Sequence, residues 1–427
     1  MPTATRFLGF GPNFRALRHR NFRLYFFGQM ISLVGSWMQS VAQGWLMHRL
    51  TSSAFMLGLL SFTQFLPVLP LALWAGVVAD RVDKRRLLLV TQSLLLAQAS
   101  FLALTVSMGT VRPWMILGFA LVYGCVNTFD LPARQSFVIE MTGREDLNNG
   151  IALNSAAFNT ARILGPAAAG VLLAGVGEAR CFWINALSFI AVIAALFAMR
   201  LPPRERDASA PLFSSMSSTL RDGVRYAWTT GPIRNLLVLL AICAGVGFQY
   251  NVLLPVYARD ILHGGPGVYG ALLAAFGVGS LVAAGRMTMR LDRWALRRHL
   301  LLGLASGGIG LVGFAWIHVL AAMLVFGALA GFGLILYVSS TNTLIQMTTQ
   351  DSYRGRVMSL YTLMFIGTSP FGALLAGGVA ERFGAPVATS VCAVILLGGA
   401  LWMSRRLRVI AAREHAARMS DEGAPIG

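Results

Sequence analysis

Lysine is nearly absent from this chain. Lys84 is the only one in 427 residues, and charged residues of all kinds make up 12% of the sequence, against about 25% in an ordinary soluble domain. Charge this sparse does not describe a soluble protein. No glycine-rich phosphate loop surrounds Lys84, which excludes an ATP-driven motor within the chain, because such a loop needs a lysine on the phosphates. Cysteine is scarce too: Cys125, Cys181, Cys243 and Cys392 are scattered in or beside apolar runs. Their spacing suggests neither a metal site nor a disulfide framework, so they are expected to be small packing residues. The six histidines (His19, His48, His263, His299, His318 and His415) are equally dispersed. A membrane-embedded enzyme would need such groups clustered at one face, so no metal, no cofactor and no catalytic residue is expected.

What the chain has in abundance is apolar length: 56% of it is hydrophobic. Twelve stretches stand out, at 22–47, 55–79, 87–108, 114–133, 149–175, 181–200, 234–257, 267–289, 299–316, 320–343, 356–379 and 385–404. Each is near the ~20 residues a helix needs to cross a bilayer, and only helices satisfy their own backbone over such lengths. The net charge of +18 could suggest nucleic acid, but its placement argues against that. Arg49, Arg112, Arg180, Arg259 and Arg382 fall in the loops of one side and Arg162 falls within a span; every other basic residue falls on the opposite side. This is the positive-inside pattern, and it predicts both termini in the cytoplasm. The first apolar run is too long for a signal peptide and lacks a clean cleavage site, so it is expected to be an uncleaved anchor.

The expected organisation is a cytoplasmic N-terminal segment (1–21), a six-helix bundle (22–200), a cytoplasmic linker (201–233), a second six-helix bundle (234–404) and a cytoplasmic tail (405–427). Phe10, Phe14 and Leu17, among arginines, suggest either a short helix lying on the inner leaflet or a plain disordered lead-in. In the linker, Arg221 to Trp228 reads as an amphipathic surface helix. The bundles look related: a shift of 212 residues places Gly58 on Gly270, Asp80 on Asp292, Arg81 on Arg293, Arg85 on Arg297 and Arg86 on Arg298.

Gly76-Val77-Val78-Ala79-Asp80-Arg81-Val82-Asp83-Lys84-Arg85-Arg86 joins spans 2 and 3. Gly76, Asp80, Arg81, Lys84 and Arg85 resemble the loop signature of the major facilitator superfamily, with Asp83 where that family has glycine. Aspartate tolerates the left-handed turn a glycine would make. Gly76 would let another backbone approach the helix end. The resemblance implies an all-α integral membrane protein, with twelve transmembrane helices in two pseudo-symmetric bundles and substrate bound between them. It also implies a conformational latch, in which Asp80 docks on the start of span 11 in one state and releases it in another. Asp292 and Arg293 would form a weaker second copy, because Thr288 stands where Gly76 would fall.

Polar residues inside the spans are the candidate site. Span 1 carries Gln29, Ser32, Ser36, Gln39 and Gln43 at steps of 3, 4, 3 and 4, hence on one face. Such a stripe lines a wet cavity or bonds a neighbouring helix; its depth favours the cavity. Span 4 adds Tyr123, Asn127, Asp130 and Arg134, and span 5 adds Ser155, Asn159 and Arg162. Span 7 adds Gln249, Tyr250 and Asn251, and span 10 adds Tyr337 and Asn342. An arginine at mid-membrane costs about 2.5–3.5 kcal/mol on insertion scales, so Arg162 should face a cavity or a partner. Arg162 could hold a polar or anionic part of a substrate and Asp130 could carry a proton, or the two could be a structural pair. The runs Asp130 to Phe137, Asn154 to Asn159 and Leu164-Gly165-Pro166 resemble the branch that includes the enterobactin exporter and macrolide efflux pumps. Gly165, Pro166 and Gly170 partly match its antiporter signature. The resemblance implies a proton-coupled exporter of amphipathic organic molecules, siderophores or drugs, in a bacterial-type plasma membrane. Its partners would be a small-molecule substrate, protons and the lipid bilayer, without nucleic acid. A facilitator-type importer, a lipid transporter, a non-transporting receptor and a membrane-embedded enzyme are the alternatives.

Overall fold

The computed structural model describes residues 12–200, 214–287, 289 and 291–422. Thr288, Phe10 and the first part of the linker lie outside them. Fifteen α-helices follow in order: α1 (Arg20–Thr51), α2 (Ala54–Phe65), α3 (Val68–Arg81), α4 (Lys84–Ser107), α5 (Pro113–Thr142), α6 (Leu147–Ala198), α7 (Ser214–Thr229), α8 (Gly231–Gly247), α9 (Tyr250–Val256), α10 (Pro266–Arg286), α11 (Arg293–Trp316), α12 (Leu320–Thr348), α13 (Arg354–Gly367), α14 (Ser369–Phe383) and α15 (Ala385–Glu422). Among the described residues, 10 helical segments are long and apolar enough to cross a membrane. Helix α6 is one of them but breaks at Gly177, where φ is +80°, so it supplies two crossings. Helix α1 has the length, and its polar stripe alone keeps it below that hydropathy. Three crossings are built from two helices each: α2 with α3, α8 with α9, and α13 with α14. Counted this way, the described residues are consistent with twelve crossings.

The chain forms two compact units, Met1–Pro211 with Leu254–Ala274, and Leu212–Leu253 with Ala275–Gly427. The sequence expects residues 254–274 in the second bundle, but their contacts lie with the first. Helix α9 continues into a π-helical turn, Tyr257–Ile261. There the Asp260 carboxylate meets the buried His48 ring at 2.9 Å, and Arg259 donates to the His48 carbonyl at 3.1 Å. Tyr269 stacks on Trp45 with centroids 5.8 Å apart. Gly170 of α6 and Gly270 of α10 meet so closely that a Cβ on either would fall about 2.5 Å from the other's Cα.

The segment before α1 also differs from expectation. Pro12–Arg18 forms a 3-10 turn with Ala16 and Leu17 buried. Arg15 and His19 both pair with Asp146, the residue before α6, and Asn149 accepts from the Ala16 amide. Asp146 draws the turn into the protein, so Leu17 packs there instead of on a leaflet. In the second unit, α7 presents Asp222, Val224, Arg225 and Trp228 outward and buries Gly223 and Ala227. Tyr226 of α7 stacks flat on Tyr353, with centroids 4.2 Å apart, and its hydroxyl accepts from the Gln350 amide.

Within each unit the helices cross at glycines, at matching places. In the first unit, a Cβ on Gly124 of α5 would lie 2.1 Å from the Gln64 carbonyl of α2, and one on Gly165 of α6 would lie 2.4 Å from Trp37 Cβ of α1. In the second, a Cβ on Gly331 of α12 would lie 2.1 Å from the Phe276 carbonyl of α10, and one on Gly372 of α14 would lie 1.9 Å from the Gly245 carbonyl of α8. Crossings 2 with 4 and 1 with 5 therefore recur as 8 with 10 and 7 with 11, which is the six-helix repeat seen in packing. Gly331→Ala should destabilise the protein by about 1–3 kcal/mol through overpacking. Gly118→Ala, where nothing among the described residues lies within 4 Å, should be neutral or mildly stabilising. Thermal melts of the two variants in detergent check the difference.

Candidate functional site

The polar residues of the first unit form three groups. One joins α1, α4 and α6. The Gln39 amide donates to Gln98 Oε1 at 3.2 Å and accepts from Asn185 Nδ2 at 2.7 Å, while Ser188 donates to Asn185. Gln39 thus serves helix packing, the second use open to a polar stripe. Gln29 and Gln43 are also buried, and among the described residues Gln29 Oε1 and Gln43 Nε2 find no hydrogen-bond partner. Ser36 is half-buried against the Tyr123 hydroxyl.

The second group surrounds Asp130, which is completely buried. Its partners differ from the expected Arg162. Arg134, one turn on along α5, forms an ion pair with it. From α4, Thr91 donates to Asp130 Oδ1 at 2.6 Å and Gln92 donates at 2.9 Å. Arg134 also reaches Asn127 Oδ1 at 3.4 Å. The hydroxyl of buried Tyr25 lies within electrostatic range of both charges. An i,i+4 arginine can reach a carboxylate without any tertiary rearrangement, so it claims the partnership first. Two further donors satisfy a charge that burial would otherwise penalise heavily.

The third group stands on the first half of α6. Ser155 and Asn159 are exposed and Arg162 is half-buried, at steps of 4 and 3 on one face. Asn159 donates back to the Ser155 carbonyl at 2.9 Å. Phe158 packs edge-on to Trp37, with centroids 5.8 Å apart.

In the second unit the candidates are mostly structural in geometry. Tyr337 is fully buried and donates to the Leu239 carbonyl at 3.1 Å. Tyr250 is buried and stacks on Phe276 at 3.9 Å. Gln249 sits at the break between α8 and α9, where its backbone amide bonds Val246 and leaves the Gly245 carbonyl without its helical donor. The Gln249 side chain replaces that donor at 2.6 Å. Asn251 is exposed, and half-buried Asn342 accepts from Gln346 at 2.6 Å.

The charged turn is built differently from its sequence pattern. Asp83 has φ −57° and caps α4, accepting from the Arg86 amide at 2.7 Å. No left-handed residue is needed there, and a capping aspartate does the work of the expected glycine. Asp292 caps α11 in the same way, through Ala295. By role, then, Asp292 is the counterpart of Asp83, although the charge register aligned it with Asp80. Lys84 is buried and pairs with Glu140 at the end of α5, while Arg85 donates to the Leu196 and Phe197 carbonyls at the end of α6. Arg293 donates likewise to the Met347 carbonyl at the end of α12. Asp80 and Arg81 are exposed. Among the described residues nothing lies within 4 Å of a Cβ built on Gly76, so none of their backbones approaches it.

Sequence reasoning missed Thr91, Gln92 and Gln98 on α4, and Asn185 and Ser188 on α6. The signal was available: Thr91 and Gln98 lie two turns apart on an apolar helix, and Asn185 and Ser188 lie one turn apart. Among the described residues no three His, Cys, Asp or Glu side chains gather in a way that could hold a metal ion.

Two six-helix repeats crossing at glycines, with polar groups inside the crossings, define a membrane transporter of the major facilitator type. The chain belongs to the transmembrane secretion effector family of that superfamily, whose model matches residues 12–424. It is 27% identical over 363 residues to the staphyloferrin A transporter of Staphylococcus aureus, covering 84% of this chain and 90% of that one. It is 25% identical over 367 residues to the multidrug efflux pump Tap of Mycolicibacterium fortuitum, covering 84% and 89%. Among solved structures, a bacterial homologue of the human lysosomal transporter Spinster superposes with a TM-score of 0.71 at 14% identity, over 92% of this chain and 97% of that one.

Arg134→Ala should strand a fully buried carboxylate and cost about 3–5 kcal/mol. The double variant Asp130→Asn/Arg134→Gln should recover most of that loss. Melting temperatures of the single and double variants in one detergent measure the coupling.

Proposed function

We propose that the protein is a secondary exporter, moving amphipathic organic molecules out of the cell in exchange for protons by alternating access. The observation that carries this is the break between α8 and α9, at the point where α14 crosses. There a helix that should span continuously gives up a backbone bond, and Gln249 replaces it with a side chain. Discontinuous membrane helices are where many secondary transporters form their substrate sites. The family and its relatives support the export of small molecules. Gln29 Oε1 and Gln43 Nε2, which find no partner among the described residues, add polar groups inside the bundle that a ligand or water could engage.

In this scheme Asp130 takes the proton. A neutral Asp130 would release Arg134 from its ion pair, and the freed guanidinium would rearrange with Asn127 and Tyr25. The end of α3 carries Asp80, which would dock at the positive N-terminal end of α13 in one state and leave it in the other. The test is purified protein in liposomes with an imposed pH gradient, scored by flux of a substrate panel. Gradient-driven flux should appear with the native chain. Asp130→Asn should keep downhill flux while losing most of the gradient's effect, and Asp80→Asn should slow turnover several-fold without weakening substrate binding. Native flux indifferent to the gradient would count against proton exchange, and equal turnover of Asp80→Asn would count against the latch.

A further inference from the structure

We infer that an anionic phospholipid is a bound partner of this protein, with its phosphate between Arg286 of α10 and Arg298 of α11 and its acyl chains along the outer faces of those two helices. The inference goes beyond transport and needs only the membrane fold. It starts from His299, which is buried near the start of α11 with 5% of its surface open. Its ring nitrogen Nε2 accepts a hydrogen bond from Arg286 Nε at 3.1 Å. Arg298, the preceding residue, lies within electrostatic range of the same ring. A buried ring thus fixes the first guanidinium by one edge and lies between it and a second. Both arginines are exposed, so their remaining N–H groups are open to a ligand. Among the described residues, neither guanidinium pairs with a carboxylate: Asp292, the nearest in sequence, caps α11 through the Ala295 amide.

The helix faces below the arginines identify the ligand. On α10, Val278 and Val282 precede Arg286 at steps of four, and they are 56% and 59% exposed. On α11, Arg298 stands between Trp294 and Leu302 at steps of four, and these are 61% and 55% exposed. Residues four apart share one helix face. Each helix therefore carries an apolar outer row with an arginine at the end of the membrane crossing. The opposite faces are occupied: Gly279 crosses α12 at Ala328, and Gly303 crosses it at Gly333 and Tyr337. Two apolar rows headed by two guanidiniums match two acyl chains joined at one phosphate. Trp294 suits the headgroup level, where indole rings settle. Arginine's planar fork matches phosphate oxygens and forms strong charge-assisted bonds with them. The positive-inside pattern predicts this end of the helices at the cytoplasmic leaflet, where anionic headgroups lie and basic pockets between helices bind them. Anchoring of Arg286 by His299 lowers the cost of ordering a long side chain on binding.

The test uses the full chain in detergent with dioleoyl phosphatidylglycerol or dioleoyl phosphatidylcholine, which differ only in the headgroup. Native mass spectrometry counts the lipid retained, and melting temperature reads the stabilisation. Phosphatidylglycerol should be retained and should raise the melting temperature, whereas phosphatidylcholine at the same concentration should do neither. The double variant Arg286→Gln/Arg298→Gln should lower phosphatidylglycerol retention about tenfold. Arg112→Gln, at an exposed arginine before α5, should leave it unchanged. Arg286→Lys, which keeps the charge and loses the fork, should give intermediate retention and serves if the double variant does not fold. Equal retention of the two lipids by the native protein would overturn the inference. Unchanged phosphatidylglycerol retention in the folded double variant, or in Arg286→Lys where only that variant folds, would remove these arginines from it. Inorganic phosphate that stabilised the protein as well as the lipid does would show a simple anion site and would overturn the lipid assignment.

Discussion

Helices in lipid gain nothing from hiding apolar surface from one another, because lipid is as apolar as they are. They hold together through close backbone approach and through hydrogen bonds that lipid cannot offer. Both devices recur through this protein. Glycines at 124, 165, 331 and 372 bring the carbonyl or Cβ of a neighbouring helix to within about 2.5 Å of where a side chain would begin. Buried amides and hydroxyls then bridge what the glycines bring near, as Gln39 does between Gln98 and Asn185. At two of these crossings, Gly124 against Gln64 and Gly372 against Gly245, a crossing is built from two helices, so there the packing that stabilises a bundle lies beside a break.

The charged turn shows how one short stretch can serve several ends. Asp83 begins a helix, Lys84 ties that helix to the end of α5, and Arg85 closes the end of α6. Each contact satisfies groups that a helix terminus leaves open. Asp80 and Arg81 stand exposed beside them. The turn therefore builds the bundle through Asp83, Lys84 and Arg85 while keeping two further charges at the surface.

Much of the architecture was legible in the sequence because membrane spans announce themselves by length and apolar composition. The repeat was visible through Asp80, Arg81 and their partners 212 residues on. The roles of single residues were not. A polar stripe such as that of α1 shows which side chains share a face, but not whether the face meets a cavity or a neighbour. That depends on which helix packs alongside, as Asn185 does against Gln39. The steps of four from Tyr123 to Arg134 were plain, yet the burial cost of Arg162 drew it forward as the partner of Asp130. Local geometry had already given the place to Arg134. The register that aligned Asp292 with Asp80 followed charge, whereas helix capping follows the first amides of a helix, and that moved the equivalence by three residues.

One consequence follows from the single lysine. Its ammonium is sunk beside Glu140, with 9% of the side chain open to solvent. Acetylation, ubiquitin attachment and amine-directed crosslinkers all require a free primary amine, and this side chain does not present one. Arginine carries the rest of the positive charge in a form that acylation cannot erase. The chain's charge pattern is therefore beyond the reach of the lysine-modifying chemistry that a cell uses to revise charge after synthesis.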